Sequence, residues 1–243
     1  MKIENLEVFN FKGAFRGMRN PMNSWDKSDS FFGDSLNVVE LGESDLRLAQ
    51  RLIRAGGEHR KFLRQIIVSF DLTAPLYFWK EFDTYKVGTV ANSTSTMHKL
   101  ASTPITLECF ETDDYDPNLV YLSGVDDSGD SMFSYNMQVK DIVESEGFNS
   151  YYEPTIIQFL EELRQKYNKT KDKRYWKELI RWLPESWLQT RTITMNYENI
   201  LNIIYQRQNH KLTEWHYVIN YFKKNLPYVN ELLLFLEGDK NEN

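Results

Sequence analysis

One cysteine, Cys109, occurs in 243 residues. That excludes an intrachain disulfide framework and any cysteine-based metal centre. The four histidines, His59, His98, His210 and His216, show no paired ligand spacing, so no metal site is expected. Positive charge is also short, with 29 Lys and Arg against 35 Asp and Glu and a net charge of −6. Nucleic-acid binding, which needs clustered cations, is therefore not expected, although a small anion needs only one local pocket. No apolar run approaches the roughly 20 residues of a membrane helix, and the opening MKIENLEVFNFKGAF lacks a signal peptide's apolar core. A cytoplasmic protein without membrane contact is expected. No linker-like stretch divides the chain, which reads as a single domain over 1–243 with an acidic loop inserted at about 111–130. The loop's DDYDP and GVDDSGD lack the twelfth-position Glu of an EF-hand and read as solvated.

What the chain does have is apolar material for a core, at 41% hydrophobic and 14% aromatic residues. ENLEVFNF reads as a strand, and the turn-rich 16–43 that follows carries no assignable role. From Ser44, Leu46, Leu48, Ala49, Leu52 and Ile53 make a helical face that Gly56 and Gly57 end. Residues 66–72 read as a strand. Pro75 fits the first turn of a helix carrying Leu76, Phe78, Trp79 and Phe82. Beyond Gly88, Thr89, Asn92, Ser93, Thr94, Ser95 and Thr96 make a hydroxyl-rich loop that either holds a polar ligand or simply turns. Ile105 to Phe110 alternates as a strand, which would bury Cys109 as a structural thiol rather than offer it as a nucleophile. The C-terminal half is helical: an apolar stripe over 155–167, an amphipathic segment over 175–182 ended by Pro184, and RTITMNYENILNIIYQR. Asn196, before this last helix, is either a cap or a ligand contact.

Several of these residues together resemble the signature of flavin-dependent thymidylate synthases. Counting from Ala74-Pro75, Thr84-Tyr85-Lys86 falls on that family's Arg-His-Arg triplet and Thr89 on its first Ser. With a one-residue slip, Asn92 and Ser95 fall on its Asn and second Ser, Ser93 on its Glu, and Met97-His98 on its Arg-Tyr pair. His59 matches the family's His, with Lys61 in place of the Thr two residues later. After Leu183-Pro184 come Thr194-Met195-Asn196, Asn202 and Arg207 with no gap, and then Trp215. Glu198 reverses the charge of the family's Arg, and His216 replaces a Glu.

The resemblance spans most of residues 44–234. It implies an α+β fold, a mainly antiparallel sheet packed by helices, with a helical C-terminal half and a homotetrameric assembly. It implies reductive methylation of dUMP to dTMP with methylenetetrahydrofolate, FAD and NADPH. No catalytic side chain is implied, since the flavin supplies the hydride. Lys86, Asn92, Ser93, Ser95, Thr96 and Arg207 would bind substrate. His59, Lys86, Val87, Thr89, Asn196 and Asn202 would hold the cofactor. The altered triplet leaves two alternatives: a divergent flavoenzyme acting on another pyrimidine nucleotide, or a non-catalytic flavin- or nucleotide-binding oligomer.

Overall fold

The computed structural model describes residues 1–33, 39–112, 123–125, 131–133 and 155–238. In chain order these form β1 (Lys2–Phe9), α1 (Phe11–Arg19), β2 (Phe31–Phe32), β3 (Val39–Glu40), α2 (Glu43–Arg54), β4 (Ile67–Pro75), α3 (Leu76–Phe82), β5 (Val90–Ser93) and α4 (Thr96–Lys99). Then follow β6 (Ser123–Val125), β7 (Ser131–Phe133), α5 (Thr155–Thr170), α6 (Lys173–Arg181), β8 (Leu188–Asn196), α7 (Tyr197–Arg207), α8 (Thr213–Asn225) and, after a π-helical turn at Asn230–Leu234, α9 (Phe235–Gly238). Two compact units are interleaved along the chain. The larger comprises Lys2–Thr73, Phe78–Ser93 and Thr190–Asn243; the smaller comprises Met1, Ala74–Tyr77 and Thr94–Gln189. Most of the acidic segment at 111–130 lies outside the described residues. Among the described residues no helix is long and apolar enough to cross a membrane.

The larger unit is built on a four-stranded sheet in the order β1-β4-β8-β5. In β4 the sequence IVSFDLTAP alternates, and Val68, Phe70 and Leu72 all point into the core. β1 pairs with it antiparallel, Ile3 opposite Leu72 and Phe9 opposite Ile67, with a bulge between Glu4 and Glu7. There Asn5 turns to φ 52° and its amide donates to Asp71 at 2.7 Å. On the other side, hydroxyls of Thr73 and Thr190 lie 2.7 Å apart and Thr192 donates to Asp71 at 2.5 Å, which sets β8 antiparallel to β4. β5 completes the sheet, antiparallel to β8.

Helices α7 and α8 supply the apolar cover: Ile200, Leu201, Ile203 and Ile204 from one, Trp215, Val218, Ile219 and Phe222 from the other, all buried. Phe222 meets Phe70 edge-on at 5.3 Å between ring centres. Phe78 and Phe82 of α3 close on Trp215 at 4.7 and 6.0 Å. The α+β fold with an antiparallel sheet packed by helices is therefore as expected.

Three local expectations differ. No helix is expected over α1, of which only the C-terminal end reaches the turn-rich stretch; its glycines mark close approach rather than breaks: a Cβ at Gly13 would lie 2.1 Å from Asn10 Oδ1, and one at Gly17 2.7 Å from Gln65 Oε1. Pro75 ends β4 instead of opening the next helix. The hydroxyl-rich 89–96 is largely not a loop, since Val90–Ser93 form the edge strand β5 and Ser95 caps α4. Val90 is the one β-branched residue of this strand, and the open edge of β8 supplies its pairing.

The core of the smaller unit is a cluster of Leu100, Ile105, Phe110, Ile157, Leu160, Leu163 and Leu179. α5 and α6 fall where their stripes predict, α5 running three residues beyond 167. The strand expected over 105–110 is instead a 3-10 turn at Leu107–Cys109 with a single bridge from Phe110 to Trp187. Only Ile105 and Phe110 are buried, a spacing no regular strand face provides. Cys109 is half-buried there, its Sγ 3.7 Å from the Pro104 carbonyl. Glu161 of α5 accepts from Arg164 through both carboxylate oxygens, at 2.6 and 2.7 Å, and from the Ile105 N–H at 2.8 Å. Its carboxyl is lowered to about 2, chiefly by the Arg164 hydrogen bonds, against the opposing effect of burial.

Candidate functional site

In the larger unit, α3 stops at Phe82 and the chain turns through 83–89 before entering β5. This turn is fastened to α7 at both ends of that helix. At its start, Tyr85 packs edge-on against Trp215 at 5.8 Å, and its hydroxyl accepts from Arg207 Nε and donates to Gln206 Oε1, each at 3.0 Å. The Arg207 guanidinium also lies 5.2 Å over the Trp215 ring, and its Nη1 pairs with Glu81 at 2.9 Å. Three partners, the Tyr85 hydroxyl, the Trp215 ring and the Glu81 carboxylate, therefore hold Arg207 beside the turn. Trp215 Nε1, inside this aromatic group, is buried without a hydrogen-bond partner among the described residues.

At the other end, Asn196 caps α7 by accepting from the Asn199 N–H at 3.0 Å. Asn199 Nδ2 donates to the Val87 carbonyl at 2.8 Å and to Thr89 Oγ1 at 2.7 Å. Gly88, between them, has φ +74°, and a Cβ there would lie 2.8 Å from Asn196 Nδ2. The turn is thus pulled down onto the helix while its outer side stays open: Val87 is 90% exposed, and the exposed Lys86 ammonium has no partner among the described residues. Asn202, half-buried on the same helix, likewise keeps an uncommitted amide among those residues. Asn92 and Ser93 are exposed on β5, opposite Thr192 and Arg191.

The structure thus brings Lys86, Val87, Thr89, Asn196 and Arg207 onto one turn and the helix beneath it. In the smaller unit, Ser95 Oγ accepts from the His98 N–H at 3.1 Å and lies 2.7 Å from His98 Nδ1, and Thr96 opens α4. Their polar groups serve a four-residue helix. His59 lies in the turn after α2 and lines a cavity of about 840 Å³. Lys27, Arg47, Arg51 and Lys61 line the same cavity, with Glu58 the acid among its lining residues. Sequence reasoning missed Asn199, although its place three residues after a helix cap is where a reciprocal capping partner stands.

The charge-reversed Glu198 is not left facing an open anion site. Arg60 Nε donates to its Oε1 at 3.0 Å, and Arg64 pairs with Oε2. Burial raises the Glu198 carboxyl, but the Arg64 and Arg60 hydrogen bonds outweigh it, and the net shift is downward.

The residues present fit a nucleotide-type ligand. An exposed ammonium, an uncommitted carboxamide, and exposed hydroxyl and amide side chains on a strand edge offer both phosphate and heterocycle partners. No family model matches the sequence, and no curated protein does. Among solved structures, the chain is similar to the flavin-dependent thymidylate synthase ThyX of Helicobacter pylori complexed with FAD and dUMP, at 16% identity and TM-score 0.60, covering 96% of this chain and 98% of that one. A second structure of ThyX from that organism with FAD and dUMP gives 15% identity and TM-score 0.58, over 96% and 97%. A UMP/dUMP methylase, PolB from Streptomyces cacaoi bound with 5-Br dUMP, gives 14% identity and TM-score 0.53, over 91% and 88%. The chain therefore has the fold of the flavin-dependent thymidylate synthases across nearly its whole length.

Proposed function

We propose that this chain, which has the fold of the flavin-dependent thymidylate synthases, is a cytoplasmic homotetrameric enzyme that binds FAD and dUMP. It methylates dUMP reductively to dTMP, with methylenetetrahydrofolate as one-carbon donor and NADPH as reductant. The observation that carries the reading is the fastening of the 86–89 turn to the first turn of α7 through Asn196 and Asn199, in a fold whose solved examples hold FAD and dUMP.

In the larger unit, Lys86 supplies a point charge to a phosphate, and Arg207, aimed by Glu81 and Tyr85, offers the Nη2 edge of its fork. Asn92 and Ser93 read the edge of the pyrimidine. In the smaller unit, Ser95 and Thr96 offer hydroxyls to phosphate. Val87, Thr89, Asn196 and Asn202 orient the flavin ring, with His59 a further contact to the cofactor. When bound, the flavin supplies the hydride, so the half-buried Cys109 has no part in the chemistry.

The test is the visible spectrum of the purified protein incubated with FAD, followed by a dUMP titration and an assay of tritium release from the pyrimidine C5. A bound flavin whose spectrum responds saturably to dUMP, with tritium release, is the expected result. The likeness to a UMP/dUMP methylase, together with Thr84 and Tyr85 in place of cationic residues, favours one second reading: a flavoenzyme acting on another pyrimidine nucleotide. Titration with UMP beside dUMP separates the two. A folded protein that binds no flavin overturns both and leaves a non-catalytic scaffold.

A further inference from the structure

Glu198, in the first turn of α7, is only 8% exposed and is met by two guanidinium groups from the segment after α2. Arg60 reaches it through Nε alone, at 3.0 Å. Arg64 uses Nε on Oε2 and Nη2 on Oε1 at 3.4 Å, with Nη2 also 3.5 Å from the Gly57 carbonyl. One buried carboxylate needs a charged, hydrogen-bonded partner, and one arginine meets that need. The second leaves a positive charge in excess. The other acid nearby, Glu58, acts on Arg64 only at longer range, and its carboxylate lies 3.5 Å from Lys61 Nζ. Among the described residues, the three cations Arg60, Lys61 and Arg64 are therefore matched by two carboxylates, Glu58 and Glu198.

The geometry of the excess charge is specific. Among the described residues, both Nη groups of Arg60 and Nη1 of Arg64 have no partner, and the two side chains keep 22% and 50% of their surface open. Two guanidinium groups are held at the two oxygens of one carboxylate, which keeps them close to each other with N–H groups left uncommitted among the described residues. The positive end of the eleven-residue α7 adds to the potential at that point. This is the donor set of a phosphate, whose oxygens accept several charge-assisted bonds at once.

We infer that Arg60 and Arg64 form an oxyanion clamp for the phosphate of a nucleotide, and that Glu198 is its positioning residue. The inference rests on the proposed function for the source of that phosphate, which is either the diphosphate of FAD or the monophosphate of dUMP.

Calorimetric titration of the full chain with inorganic pyrophosphate tests the clamp without any flavin. Arg60→Gln with Arg64→Gln should weaken binding by about tenfold or more and flatten its salt dependence, while Arg174→Gln, an exposed arginine on α6, leaves it unchanged. Unchanged binding in the double variant, or an equal loss in Arg174→Gln, overturns the clamp. Arg60→Gln alone keeps Arg64 on Glu198 and stands in if the double variant fails to fold, with a loss of about threefold or more expected. Glu198→Gln removes a negative charge, so simple electrostatics would tighten binding. A loss instead supports positioning, and a gain overturns that role. Parallel titrations with FAD, riboflavin and dUMP identify the source: a loss for FAD with riboflavin unchanged assigns the diphosphate, and a loss confined to dUMP assigns the substrate. Arginine-dependent binding of pyrophosphate with no binding of FAD or dUMP would keep the clamp and sink the flavin reading.

Discussion

Asn199 Nδ2 donates to Thr89 Oγ1 at 2.7 Å, and the same nitrogen reaches the Val87 carbonyl at 2.8 Å. One carboxamide in the first turn of α7 thereby grips the chain on both sides of Gly88. Asn199→Ala strands that carbonyl and releases the turn. The expected cost is about 1–2 kcal/mol of global stability, with faster amide exchange at residues 87–89 than in the wild type. Urea unfolding and hydrogen exchange measure the two effects. A variant as stable as the wild type, with unchanged exchange, would remove the turn's dependence on the helix.

Gly88→Ala probes the same attachment from the other side. At φ +74° an alanine is strained, and its Cβ would come within 2.8 Å of Asn196 Nδ2, the capping side chain. A loss of about 1–3 kcal/mol is expected, since strain and a weakened cap add. Thermal melts should show it, and weaker binding of FAD should accompany it if the turn is the flavin contact.

Asp45 is fully buried and accepts from Arg19 Nε at 2.6 Å, Ser28 Oγ at 2.7 Å and the Ser30 N–H at 3.2 Å. It gathers α1, the segment after it and α2 around one carboxylate. Asp45→Ala leaves the Arg19 charge buried with its main partner gone, for an expected loss of about 3–5 kcal/mol in urea unfolding. Arg19→Met with Asp45→Leu should recover much of it, because an apolar pair carries no stranded charge.

Acid stability should report on Glu161. Its folded value is lowered to about 2 by Arg164, while the unfolded value is near 4.5. The unfolded state therefore binds the proton more readily, and the stabilisation is complete above about 4.5 and lost as pH falls toward 2. On the order of 2 kcal/mol is at stake once solvent screening of this partly open pair is included. Melting temperatures of wild type and Glu161→Gln, followed from pH 7 to pH 2, should differ most at the neutral end and converge in acid. A constant offset would mean that the carboxylate charge contributes nothing.

The long helices were legible because their apolar residues repeat at helical spacing: Ile200, Leu201, Ile203 and Ile204 in α7 are all fully buried. Asn196 was legible as both a cap and a ligand candidate, and the cap is now visible in its bond to Asn199. The helix over Phe11–Arg19 was not legible. Local propensity penalises its two glycines, while the close approach of Gln65 that makes Gly17 fit comes from a distant part of the chain. Val90–Ser93 failed for the converse reason: an exposed valine followed by three small or polar residues becomes a strand only because β8, far along the chain, offers an edge. Lys86 and Arg207 could be named from the sequence. That Tyr85 would join Arg207 to the turn depends on the α7 C-terminus packing beneath it.

The sheet order β1-β4-β8-β5 has a consequence during biosynthesis. β4 is complete at Pro75 and β5 at Ser93, yet the strand that joins them does not begin until Leu188. At roughly 5–20 residues per second, the nascent chain spends several seconds with one side of β4 unpaired and β5 without a neighbour. The ribosome thus emits a half-sheet whose apolar Val68, Phe70 and Leu72 are already synthesised while α7 and α8, which cover them, are not. Removing the C-terminal portion from residue 190 onward would take β8, α7 and α8 from the larger unit and leave β1 and β4 as an aggregation-prone half-sheet, dependent on chaperones for as long as it persists.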